Sequence, residues 1–107
     1  MMTYDLYGSS LTDISKAKEV LENALSVKFE ERDSSYHGEY FAWNDECSEE
    51  NLVLKRNRDP IDEGPAEISF VECSILFYVN DTLRSVELQG IMAQRVEDFT
   101  LLRHEEL

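Results

Sequence analysis

The sequence predicts an α+β domain of two layers, a mostly antiparallel sheet with two helices packed on one of its faces. Two stretches of similar length, residues 3–32 and 74–106, each read strand, helix, strand. Between them lie short apolar segments of strand length bounded by polar loops. The chain has 107 residues and is 42% hydrophobic, enough for one modest core and too little for two. The expectation is a single domain over 1–107 with a βαβββαβ-like order, a duplicated βαβ plan with extra central strands. The two halves match in pattern, not in identity.

Met2 to Tyr7 is a short β-rich start. From Leu11 to Ser26, Ile14, Ala17, Leu21, Ala24 and Leu25 recur at helical spacing, with Lys16, Lys18, Glu19 and Glu22 between them. Ser10 with Asp13 three residues on fits a capping box, and Thr12 competes as the cap; either starts the helix in the same turn. Val27 to Glu31 reads as a strand. Tyr36 to Trp43 alternates Tyr36, Gly38, Tyr40 and Ala42 on one face with His37, Glu39, Phe41 and Trp43 on the other. Rings on both faces leave one set partly exposed.

A polar loop then leads into a strand from Leu52 to Asn57, in which Leu52 and Leu54 share a face. Pro60, Gly64 and Pro65 make the segment NRDPIDEGPAE a loop. Ser74 to Val79 is the most apolar run and predicts a central strand buried on both faces. Asp81 to Ala93 places Leu83, Val86, Ile91 and Met92 near a helical stripe weakened by Gly90. Phe99 to Arg103 reads as the last strand. The face of the sheet away from the helices is left for solvent or a partner.

Ten basic against 23 acidic side chains give a formal charge of −13. Such a chain repels phosphate backbones and anionic lipid heads and attracts cationic surfaces, which argues against nucleic-acid and membrane partners. The longest charge-free run, residues 73–80, is far short of the roughly 20 apolar residues of a membrane helix. Cys47 and Cys73 lack CxxC spacing and the N-terminus reads as no signal segment, so the expected setting is the cytoplasm, with reduced thiols.

The charge is segregated. Residues 28–50 hold eight acids and two bases, residues 59–72 hold five acids and no base, and Lys55, Arg56 and Arg58 form a basic island between them. Solubility explains the sign of such loops. It does not explain why Tyr36, Tyr40, Phe41 and Trp43 are interleaved with the acids. A protein interface uses both, acids for orientation and encounter and a few rings for affinity. Half of the rings are expected to pack under the sheet, either Tyr36 and Tyr40 or Phe41 and Trp43. The expected contacts are Trp43, Asp45, Glu46, Glu49 and Glu50 on one loop, and Asp59, Asp62 and Glu63 on the next.

No GxSxG, Gly-rich phosphate loop or HExxH occurs. His37 and His104 have no clear metal-clamp partners, and DPIDEG fails as a calcium loop, with Ile61 in its third position and Phe70 in its twelfth. The expectation is a binding protein, with no metal and no cofactor. Two alternatives stay open: a small acidic enzyme using a carboxylate pair, and a DNA-mimic inhibitor of a nucleic-acid-binding protein.

The stretch FEERDSSYHGEYFAW, residues 29–43, together with YDLYG, ENLVLKRN and LLRHEEL, resembles the immunity proteins of bacterial contact-dependent growth-inhibition (polymorphic toxin) systems. The resemblance covers most of the chain and is most specific at Arg32, Asp33, Ser34, Tyr36, Gly38 and Tyr40, followed by an aromatic. The family pattern has a second glycine before the acid, where this chain has Gly38 followed directly by Glu39. What it implies is a cytoplasmic, non-enzymatic monomer that binds one cognate toxin domain in a 1:1 complex, often a basic ribonuclease. By the same residues, Gly38 is expected to permit a tight turn, and Arg32 and Asp33 to fix the hairpin or contact the partner.

Overall fold

The computed structural model describes residues 2–34, 38–58 and 64–106. These form a six-stranded sheet and two helices in the order β1 (Thr3–Ser9), α1 (Ile14–Leu25), β2 (Glu30–Ser34), β3 (Gly38–Asn44), β4 (Asn51–Arg56), β5 (Ile75–Thr82), α2 (Ser85–Arg95) and β6 (Phe99–Glu106). The fold is α+β as expected, with four consecutive strands at its centre. Across the sheet the order is β2-β3-β4-β5-β1-β6, and every neighbouring pair is antiparallel. Both βαβ units are therefore split: β1 and β2 run the same way with three strands between them, and β5 and β6 with β1 between them.

The main core lies between the sheet and the helices. Tyr7, Leu52, Leu54, Ile75, Phe77, Val79 and Phe99 face Ile14, Ala17, Leu21 and Leu25 of α1 and Leu88 and Met92 of α2. Phe77 is its centre, edge-on to Phe29 and Phe99 and tilted against Tyr7. Each large apolar side chain so enclosed contributes about 1.5–3 kcal/mol. A smaller core sits on the opposite face, where Leu6, Leu76 and Cys73 are covered by Ala66, Phe70 and Leu102. Its lid is a segment with a 3₁₀ turn, Ile68–Phe70, which the alternation pattern does not foretell. β5 is thus buried on both faces, as its apolar run predicts.

Local chemistry sets the boundaries. Helix α1 starts later than Leu11 because Asp13 is the cap, accepting from the amides of Ser15 and Lys16. Phe29's amide is taken by the Glu22 carboxylate at 2.8 Å, so β2 begins at Glu30 rather than Val27. The α2 stripe also differs from expectation: Ser85, Leu88 and Met92 point inward, and Leu83 and Val86 are exposed. The inward turn at Ser85 follows from its bond to buried Asp5, at 2.6 Å.

Two bulges correct the strand alternation. On β6, Leu102 and Arg103 both stand opposite Leu6 on the lidded face, which returns His104 to the helix face opposite Asp5. At the end of β5, Asp81 adopts φ 55° and Thr82 turns back to the buried side. At Gly8 the smaller core leaves no room for a side chain: a Cβ there would lie 2.5 Å from Leu102 Cδ1 and 2.7 Å from Cys73 Sγ.

Candidate functional site

The expected contact residues separate into four groups. Glu46 and Glu49 are exposed on the β3–β4 loop. Asp45 builds that loop, accepting from the Cys47 amide at 3.1 Å and the Ser48 hydroxyl at 2.8 Å; these bonds hold its carboxyl below the usual range. Trp43 and Glu50 are turned inward, against the expectation that both meet a partner. Trp43 is half-buried and packs on the main core beside half-buried Phe41, so the ring pair turned toward the helices is Phe41 and Trp43. Asp59, Asp62 and Glu63 lie outside the described residues, as does Tyr36.

Glu50 is 4% exposed. It accepts from the Thr82 hydroxyl at 2.6 Å and from Arg84 Nη2 at 2.7 Å and Nε at 2.9 Å. Burial pushes its carboxyl up, but the bonds from Arg84 and Thr82 outweigh it and hold the group ionised below its ordinary value. This ion pair ties the start of β4 to the turn before α2.

The hairpin of β2 and β3 carries the rest of the motif. Gly38 opens β3 with φ 68°, a left-handed conformation that suits glycine at the turn, as expected. Arg32 binds Glu30 at 2.9 Å on one face, opposite half-buried Tyr40. The other face is acidic. Asp33 and Glu39 are direct cross-strand partners, and Glu31 is two residues from Asp33 on the same face. All three are exposed, and among the described residues none has an ion pair or side-chain hydrogen bond. Like charges directly opposed on a strand pair destabilise it. Glu31 and Glu39 share a hollow of about 200 Å³ with Phe41, Tyr40 and Arg56.

A second constellation, at the opposite edge of the sheet, has no spacing signal in the sequence. Asp5, 2% exposed, binds His104 Nδ1 at 2.5 Å and the Ser85 hydroxyl at 2.6 Å. Gln89 donates to Ser85 at 2.9 Å, and Glu106 stands 3.4 Å from His104 Nε2. A charged residue inside the apolar stretch YDLYG is the one trace of it. The residue types are those of a serine hydrolase, but the connections are not. In that mechanism the carboxylate holds one imidazole nitrogen while the other takes the serine proton. Here Asp5 receives the serine proton itself, and the far nitrogen faces Glu106. The hydrogen bond to Asp5, then that to Glu106, raises the His104 pKa, and through its bonds to His104 and Ser85 the Asp5 carboxylate joins β1 to β6 and α2.

Among the described residues no group of three or more His, Cys, Asp or Glu side chains is placed to hold a metal ion, and no helix is long and apolar enough to cross a membrane. Compared with known families and curated proteins, the chain matches no family model and no curated protein.

Proposed function

We propose that this chain is an immunity protein that binds and neutralises a basic toxin domain, a nuclease, by electrostatic docking and occlusion. The observation that carries the reading is the opposed pair Asp33 and Glu39 with Glu31 beside it, exposed and without an ion pair among the described residues. A free sheet edge is guarded by scattered charge. Stacking like charges face to face costs stability in the free protein, and a cationic partner recovers that cost on binding. Glu46 and Glu49 are exposed on the β3–β4 loop, at the other end of β3 from Glu39. The resemblance at Arg32, Asp33, Gly38 and Tyr40 supports the same reading.

Occlusion requires no chemistry from the inhibitor: carboxylates occupy the surface that would hold substrate phosphates, or block access from beside it. The reading places the protein in the cytoplasm, as a monomer in a 1:1 complex. It is tested by co-expression with the toxin domain encoded beside its gene. Growth is expected to be rescued and a 1:1 complex to purify; failure of both outcomes overturns it.

A further inference from the structure

The edge of the sheet farthest from the acidic hairpin has its own surface. Leu83, Val86 and Leu101 are 70%, 85% and 37% exposed, and they come from three segments: the turn before α2, its first turn, and β6. They meet at one open cleft of about 460 Å³, floored by His104 and Ser85. Helix α2 does not need them for its own packing, since its inward stripe is Ser85, Leu88 and Met92. Large aliphatic side chains gathered in the open from separate segments mark an interaction surface.

Strand β6 bounds this cleft. It is eight residues long and pairs only with β1 among the described residues, so the peptide groups of its outer edge are free to receive another strand. The charges around the cleft decide what that strand carries. Arg84 is committed to Glu50 and His104 to Asp5. Glu87 and Glu106 stand on the rim: Glu106 is 3.4 Å from His104 Nε2, and Glu87 lies in the field of Arg84 but makes no ion pair or side-chain hydrogen bond among the described residues. A second copy of the chain would bring −13 against −13 and set Glu105 and Glu106 against their own kind.

We propose that the outer edge of β6 and the cleft beside it form a second docking surface, which takes an extended segment of a cationic protein. Its aliphatic side chains enter between Leu83, Val86 and Leu101, and its lysines or arginines reach Glu87 and Glu106. This goes beyond the toxin reading: the surface lies at the opposite edge of the sheet from Asp33 and Glu39, and it stands whether or not a toxin docks there.

The test uses the full chain, labelled with ¹⁵N and titrated with a synthetic peptide as long as the eight residues of β6, in which valine and lysine take turns at every second position with threonine between, so that both face the cleft. Saturable shifts are expected at Val86 and from Leu101 to Glu106, with slowed amide exchange along β6. A valine–glutamate peptide is expected to leave them unmoved. V86S, at a position too exposed to upset folding, removes the aliphatic contact without adding charge and should weaken binding by roughly tenfold or more, and L101S provides an independent check. Shifts confined to the β2–β3 hairpin, unsaturable shifts, or undiminished binding by both variants overturn the proposal. So does sedimentation showing that the free chain dimerises through β6, which would make a second copy the occupant.

Discussion

His104 Nδ1 lies 2.5 Å from Asp5 Oδ1 across the β1–β6 seam, and it reaches that position only because the bulge at Leu102 and Arg103 resets the alternation of the strand. The bond to Asp5, then that to Glu106, raises the histidine pKa above its ordinary 6.5. A group whose pKa is raised on folding adds stability that is fully present below its unfolded value and is lost as pH rises through the folded value. Denaturant unfolding of the parent chain and His104→Gln is therefore expected to show a larger difference at about pH 5.5 than at about pH 9. An equal difference at both would mean that the bridge does not depend on protonation.

Removing the guanidinium leaves the Glu50 carboxylate enclosed with only Thr82 as its side-chain partner. Arg84→Ala is expected to destabilise the chain by about 1–3 kcal/mol, the cost of an unsatisfied buried acceptor, moderated because Arg84 is itself 38% exposed. Adding Glu50→Gln to it should recover part of the loss. Urea midpoints of the two variants check this, and a second substitution that deepens the loss would contradict it.

Gly8 makes room for Leu102 and Cys73 in the smaller core. Gly8→Ala forces a methyl group against Leu102 and Cys73, and overpacking of this kind costs about 1–3 kcal/mol. Leu102→Ala in the same chain makes room. The double variant is expected to be less destabilised than the two single losses added together, a coupling that thermal or urea denaturation measures directly.

Replacing one of the opposed acids should help the free protein. Asp33→Lys converts a like-charged cross-strand pair into an opposite-charged one and is expected to stabilise the unbound chain by about 0.2–1 kcal/mol. Unchanged or lower stability would show that the pair is not under strain and would remove the physical basis for a docking role.

Much of the fold is legible because its strongest signals are local. Ile14, Ala17 and Leu21 keep helical spacing, and β5 is apolar on both faces, so each announces its burial without reference to distant residues. The bulges are not legible, since a single extra residue reverses the facing of all that follow it and leaves no mark in composition. Helix α2 misleads for a related reason. Ser85 faces inward to reach Asp5, 80 residues away in sequence, and that rotates Leu83 and Val86 into the open. Glu50 looks like one more acid in an acidic loop until Arg84, 34 residues later, arrives beside it. At the candidate site, the turn glycine and the acids of the hairpin can be read along the chain, whereas the placing of Asp33 against Glu39 depends on strand register.

The most direct test of the docking role is the association rate with the toxin domain encoded beside the gene, measured by stopped flow across ionic strength for the parent chain and for Asp33→Lys with Glu39→Lys. The Debye length falls from about 10 Å at 0.1 M to about 3 Å at 1 M. The expected result is a parent rate that drops steeply over that range and a double variant that binds slowly at low salt with little salt dependence. Equal rates and equal salt dependence for the two chains, or no complex with either, would contradict the assignment of the β2–β3 hairpin as the docking surface.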